Sequence, residues 1–159
     1  MKVYLLRHGQ AEARATNDEL RHLTPVGTEH ILDIAGQFKA RRESIEFCFC
    51  SPYIRAQETA QVFLRESGLT CKLQTEDLLT PEGPPQQVLD FLQSLSCETV
   101  LLVGHNPSLT ALYALLTNGA SDHHMKIMAA GELCCISFEF IAKGLGECDY
   151  CLLPAGLLN

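Results

Sequence analysis

The sequence predicts an α/β sandwich built on a mainly parallel sheet, with at least one antiparallel strand near the C-terminus. Three observations carry that expectation. Apolar, β-rich runs alternate with segments of helical periodicity, the pattern of strands joined by crossover helices. Polar clusters break the chain just past the ends of several of those runs. The last two apolar runs, Leu133 to Phe140 and Cys148 to Leu153, flank Lys143-Gly144 like the arms of a hairpin.

Taken in order, Lys2 to Leu6 is a buried first strand that ends at Arg7. Gln10 to His22 is polar and unpatterned. Thr24-Pro25 then pairs an N-cap residue with a proline at the first helical position, and Ile31, Ile34, Ala35 and Phe38 recur at i, i+3, i+4 and i+7. The charged stretch Lys39 to Glu43 ends that helix, and Ile45 to Cys50 reads as a second strand. Ser51-Pro52 repeats the cap-plus-proline signal for a helix carrying Ile54, Val62 and Phe63, with Gly68 as its C′ residue. A short strand is expected around Cys71 to Leu73. Beyond the breakers of Thr80 to Pro85, Val88, Leu89, Leu92 and Leu95 form a helical face, followed by a strand at Thr99 to Val103. After Gly104 to Pro107, Leu109, Leu112, Tyr113 and Leu116 give a helix running to Gly119. With no repeat, linker or low-complexity segment, residues 1–159 are expected to form one domain.

Composition excludes several classes of function. Apolar residues make up 47% and charged residues 19% of 159, and no apolar run approaches the roughly 18 residues of a membrane span. Twelve basic against nineteen acidic side chains leave a net charge of −7, the wrong sign for gripping a nucleic-acid backbone. The eight cysteines mostly lie inside apolar runs and read as small hydrophobes. Val3 to Leu6 is too short for a secretory signal and is ended by Arg7-His8, so the expected compartment is the reducing cytoplasm. In regular strands Cys48 and Cys50 share a face, whereas Cys148 and Cys151 point to opposite faces, which argues against a paired-motif zinc site.

Ligands of parallel sheets bind beyond the carboxyl ends of the strands, and Arg7-His8-Gly9, Ser51 and Gly104-His105-Asn106 all fall there. Arg55 follows one helical turn after Ser51. Two arginine forks in an otherwise acidic chain indicate a localised anion site, and phosphate suits their geometry. Imidazole forms covalent intermediates, and neighbouring positive charge favours its neutral, attacking form, which makes His8 the candidate nucleophile. His105, if protonated, can donate to a non-bridging oxygen during in-line transfer. Singly, Arg55 reads equally as a surface charge and His105 as a helix cap; together the four residues read as one site.

Leu6-Arg7-His8-Gly9, Ser51-Pro52-x-x-Arg55-Ala56-x-x-Thr59-Ala60 and Val103-Gly104-His105-Asn106-Pro107 resemble, in order and spacing, the histidine phosphatase superfamily related to phosphoglycerate mutase. The short chain and Arg21-x-Leu23-Thr24-x-x-Gly27 resemble its compact SixA-type phosphohistidine phosphatases. That resemblance implies a three-layer α/β/α fold and a phosphohistidine intermediate on His8. It further implies a phosphate pocket of Arg7, Arg55 and His105, with Arg21 as an additional phosphate or substrate contact, and no metal or cofactor. Larger members carry an acid that protonates the leaving oxygen. The comparable stretch here is Asp77 to Gly83, where Glu82 could serve, although Glu82 and Asp77 are equally readable as loop and strand-end carboxylates. A site without a strong acid suits imidazole, a far better leaving group than an alkoxide. His123-His124 read as surface or rim residues rather than metal ligands, and Met125 to Gly131 as a substrate rim.

The expected function is therefore removal of phosphate from histidine-phosphorylated proteins of phosphorelay or phosphotransferase type. The alternatives are a small-molecule phosphomonoesterase using the same pocket and a non-catalytic phosphohistidine-binding module. A mutase is disfavoured because the chain has little room for the insertions of the resembled mutases.

Overall fold

A computed structural model of the chain describes residues 1–119 and 127–157. Its sheet has six strands in the order β3-β2-β4-β1-β5-β6. The strands β1 (Lys2–Arg7), β2 (Phe47–Cys50), β3 (Leu73–Thr75) and β4 (Thr99–Gly104) run parallel. β5 (Leu133–Ser137) is antiparallel to β1, and β6 (Glu147–Leu152) is antiparallel to β5. Helices cover both faces, which is why the central strands are apolar throughout: Val3 to Leu6 and Val100 to Val103 are all at most 1% exposed. Val3, Leu5 and Leu102 face α3 (Pro85–Ser94) and α4 (Ser108–Asn118); Tyr4, Leu6 and Leu101 face α1 (Pro25–Ala40) and α2 (Ile54–Ser67). Each such side chain contributes roughly 1.5–3 kcal/mol on burial. The architecture is the three-layer α/β/α sandwich.

The cap expected for α1 forms as the sequence implies: the Thr24 hydroxyl accepts the Gly27 N–H at 3.0 Å, with Pro25 at the first helical position. The second helix departs from expectation. Ser51 still belongs to the sheet, its N–H donating to the Val103 carbonyl at 2.9 Å, and its hydroxyl accepts the Tyr53 N–H at 3.3 Å. Tyr53 is consequently the cap, and α2 begins at Ile54. The third strand lies two residues later than Cys71 to Leu73, because its pairing with β2 sets Cys48 against Leu73 and Cys50 against Thr75.

One expectation about the cysteines is overturned. Cys135 pairs with Tyr150 and Ile136 with Cys148, so Asp149 is an extra residue, a bulge in β6. The bulge resets the alternation and brings Cys148 Sγ to 3.7 Å from Cys151 Sγ. Cys48 and Cys50 do share a face, under α1 and α2, where burial pushes the Cys50 thiol up to about 11. No helix among the described residues is long and apolar enough to cross a membrane.

Candidate active site

β1 and β4 are neighbours with Arg7 opposite Gly104, and the His8 N–H donates to the Gly104 carbonyl at 3.0 Å. The segments that follow therefore leave the sheet side by side. The His8 and His105 rings lie 4.9 Å apart, centroid to centroid. Arg55, in the first turn of α2, places Nε 3.4 Å from His8 Nε2. The charge of Arg7 bears on both imidazoles. Strand ends thus bring together the four residues that the sequence singled out.

Close backbone approach holds the turn after His8 in place. A Cβ on Gly9 would lie 2.8 Å from the Gly27 carbonyl oxygen, and a Cβ on Gly27 would lie 2.0 Å from that of Gln10. The Gly9 N–H donates to Thr59 Oγ1 on α2 at 3.1 Å, and the Thr24 N–H donates to the Gln10 carbonyl at 3.0 Å. The Thr24-x-x-Gly27 and Arg55-x-x-x-Thr59 spacings are thereby explained: each supplies a contact that seats the His8 loop.

His8 Nδ1 lies 2.7 Å from the Gly9 carbonyl oxygen. Because a carbonyl only accepts, this contact assigns the proton to Nδ1 and the lone pair to Nε2. The approach of Arg55 Nε to Nε2 agrees with that assignment. Burial, reinforced by the charges of Arg55, Arg7 and Arg21, pushes His8 down to about 4 against the opposing bond to Gly9. Burial also dominates at His105, where His8 and Arg55 add to it and Asp18 opposes it, giving about 2. With only protein charges around it His105 is neutral and carries one ring N–H, not the two of the protonated ring that the sequence reading considered. A dianion between the rings would raise it again.

Among the described residues, Arg7 Nε and both ring nitrogens of His105 are buried without a hydrogen bond. Such groups cost about 1–3 kcal/mol each unless satisfied, and an oxyanion accepts from Arg7 Nε–H and from the ring N–H of His105. Arg7 Nη1 is held by the Met128 carbonyl at 2.7 Å, an oxygen that also accepts from Asn106 Nδ2 at 2.9 Å. Two guanidinium groups and two imidazoles form a donor set for an anion, not for a metal cation.

Sequence reasoning missed Asp18. The stretch read as unpatterned contains a helical turn, Asp18–Leu20, capped by Asn17, that folds over the site. Arg55, only 3% exposed, donates to the Asp18 carbonyl at 2.6 Å and to its carboxylate at 2.9 Å, while the other carboxylate oxygen accepts from Arg21 at 2.8 Å. Arg21 accordingly bonds to Asp18 and to the Glu12 carbonyl, although its charge reaches His8. The Asn17-Asp18 pair, a turn signal, is the only clue that the sequence offered. Tyr53 was also missed; its ring meets His105 edge-on at 5.0 Å. Glu82 is exposed on the loop before α3, where its charge bears on Tyr53, and Asp77 is exposed in the turn Asp77–Leu79. No hydrogen bond or ion pair joins either one to the four central residues among the described residues. Of the expected rim, residues 127–131 include the Met128 carbonyl that holds Arg7, while His123, His124 and Met125 lie outside the described residues.

Known proteins resemble this chain in sequence and in fold. The family model of the histidine phosphatase superfamily (branch 1) matches residues 3–80. A phosphohistidine phosphatase SixA homolog of Haemophilus influenzae is 34% identical over 129 residues, covering 73% of this chain and 77% of the relative. The chain belongs to the histidine phosphatase superfamily. Phosphohistidine phosphatase SixA of Escherichia coli is 32% identical over 122 residues, 75% of this chain and 76% of that one. The solved structure of the protein histidine phosphatase SixA complexed with tungstate superposes with a TM-score of 0.89 at 26% identity, covering 99% of both chains. The match to the superfamily model includes Arg7, His8 and Arg55, and the superposition extends the likeness of fold to β4, after which His105 follows.

Proposed function

We propose that this histidine phosphatase superfamily member removes phosphate from phosphohistidine in proteins of phosphorelay or phosphotransferase type, in the cytoplasm, through a phosphohistidine formed on His8. The observation that carries the reading is the state of His8: Nδ1–H is tied to the Gly9 carbonyl, so the Nε2 lone pair faces Arg55 and His105. In the first step Nε2 attacks phosphorus in line. Its bond to phosphorus forms as the bond from phosphorus to the substrate imidazole breaks, and that imidazole leaves with the electron pair and takes up a proton from solvent water. Arg7, Arg55 and His105 hold the non-bridging oxygens as charge redistributes. Water then attacks phosphorus, the bond to Nε2 breaks with its electron pair returning to Nε2, the proton lost by the water passes to the departing phosphate or to solvent, and inorganic phosphate leaves with His8 restored.

For the oxyanion to engage Arg55, the Asp18 carboxylate must yield its place, and Arg21 then becomes available as a further contact. Tungstate in the related SixA structure is a tetrahedral oxyanion of the kind this donor set would grip. The phosphomonoesterase alternative needs an acid for an alkoxide. Glu82 and Asp77 are the carboxylates the sequence offers, but both are exposed and stand apart from the hydrogen-bonded cluster, which favours a phosphoramidate. A simple binding module would not need a histidine poised as a nucleophile.

The test is phosphate release from a histidine-phosphorylated phosphotransfer domain, with chelator present, by the wild type and by His8→Ala. Release by the wild type alone, with a covalent phosphoenzyme that the variant never forms, is expected. Absence of release by the wild type overturns the protein-phosphohistidine reading, and normal turnover by the variant removes His8 as nucleophile.

A further inference from the structure

A second constellation lies along β5 and β6. One carboxylate oxygen of Glu132 and the Sγ atoms of Cys134 and Cys151 all lie within 4.8 Å of one another. Cys134 and Cys151 are direct cross-strand partners, and the bulge at Asp149 turns Cys148 to their side, its Sγ 3.7 Å from that of Cys151. We propose that Cys134, Cys148, Cys151 and Glu132 form a binding site for a thiophilic d10 cation of the Zn²⁺ class.

The chemistry of the donors selects the ion: three thiolates and one carboxylate suit zinc or cadmium and do not suit magnesium or calcium. Their geometry suits a four-coordinate centre. A tetrahedron with metal–sulfur bonds of about 2.3 Å has an edge of about 3.8 Å, close to the distance that already separates Cys148 and Cys151. Glu132 and Cys134 already stand at 3.5 Å, the other separations within the Glu132, Cys134 and Cys151 trio need to close by at most roughly 1 Å, and Cys148, which reaches the trio through Cys151, completes the set by rotation of its side chain. Both carboxylate oxygens of Glu132 are oriented: one faces Cys134 Sγ at 3.5 Å, and the other accepts the Ala129 N–H at 2.7 Å. That second contact is the outer-shell support that metal-binding carboxylates usually have. Glu132 and Cys134 are each 1% exposed whereas Cys148 is exposed, so an ion can enter from the β6 side and end on buried donors. Binding displaces the thiol protons to solvent, and no oxidant or reductant is involved.

The site shares no ligand with the oxyanion pocket. It lies behind it, because the Glu132 carbonyl accepts the Arg7 N–H at 3.0 Å. The sequence hid it: Cys148-x-x-Cys151 in a regular strand would split across two faces, and only the bulge reunites the pair.

The experiment titrates Cd²⁺ into chelator-stripped protein kept reduced with a phosphine, following thiolate-to-cadmium charge-transfer absorption, with Zn²⁺ as competitor. One equivalent should bind with the absorbance of three thiolates and be displaced by Zn²⁺. Cys148→Ser, at an exposed position, should lower that absorbance by about a third and weaken binding by at least about tenfold. Cys151→Ser should abolish stoichiometric binding, while Cys71→Ser should leave it unchanged. Circular dichroism of each variant verifies its fold. Lack of a saturable signal at one equivalent in the wild type, or a full signal in folded Cys148→Ser and Cys151→Ser, overturns the proposal. The readout involves no phosphoryl chemistry, so its outcome is independent of the proposed phosphatase activity.

Discussion

A single backbone carbonyl, that of Gly9, sets which nitrogen of His8 carries the lone pair for the proposed attack, and burial, reinforced by the surrounding cations, sets the pH range over which it stays unprotonated. Since His8 is pushed from about 6.5 down to about 4, the neutral form that the proposed attack requires persists through weakly acidic conditions. The rate of phosphoenzyme formation should therefore hold as pH falls to about 5 and drop only as it nears about 4, the titration belonging to the coupled His8–His105 pair. A rate that halves near pH 6.5 would contradict this picture. Arg55 offers a second prediction. Lysine keeps the charge but loses the planar fork, so Arg55→Lys should lower kcat/KM by about 100-fold in a steady-state assay, whereas near-normal activity would reduce Arg55 to a point charge. Asp18 competes with any oxyanion for that fork. Asp18→Ala should tighten inhibition by tungstate by about three- to tenfold, about 1 kcal/mol; unchanged or weaker inhibition would make Asp18 a support for Arg55 instead.

At the scale of elements, the start of α1 and the His8 loop form one unit. A methyl group on Gly27 has no room, lying 2.0 Å from the Gln10 carbonyl oxygen, so helix or loop must move. Gly27→Ala should cost roughly 1–3 kcal/mol in urea unfolding and reduce phosphoenzyme formation with it, through displacement of Gly9 and His8. Thr24→Ala removes the cap and the hydroxyl's bonds to Gln10 but keeps the backbone bond from the Thr24 N–H to the Gln10 carbonyl, and should cost about 1 kcal/mol while largely preserving phosphoenzyme formation. Equal loss of activity in the two would dissociate the effect from the Gly27–Gln10 contact. The elements also mark where sequence reading falls short. The α1 cap was legible because Thr24-Pro25 acts locally. Ser51-Pro52 carries the same signal, yet Ser51 remains bonded to β4, and a sheet contact made fifty residues away overrides a local preference.

For the whole molecule, both histidines of the candidate site are shifted down, so at these two positions the unfolded chain binds more protons than the folded one between about pH 6.5 and 4. The contribution of the pair to stability is present above about 6.5 and is lost as pH falls through that window. Chemical denaturation at pH 7 and pH 5 should show His8→Ala less acid-sensitive than the wild type; equal sensitivity would exclude His8 as a source. The parallel sheet, the flanking helices and the convergence of Arg7, His8, Arg55 and His105 were legible because they follow from periodicity and from where strands end. These are properties that neighbours in the chain determine by themselves. Asp18 on Arg55, the neutral state of His105, the Met128 carbonyl under Arg7 and the meeting of Cys148 with Cys151 were decided only by the tertiary structure. Each depends on burial or on contact between distant segments, and a bulge of one residue reverses the facing of every side chain beyond it, so the linear pattern by itself does not fix these outcomes.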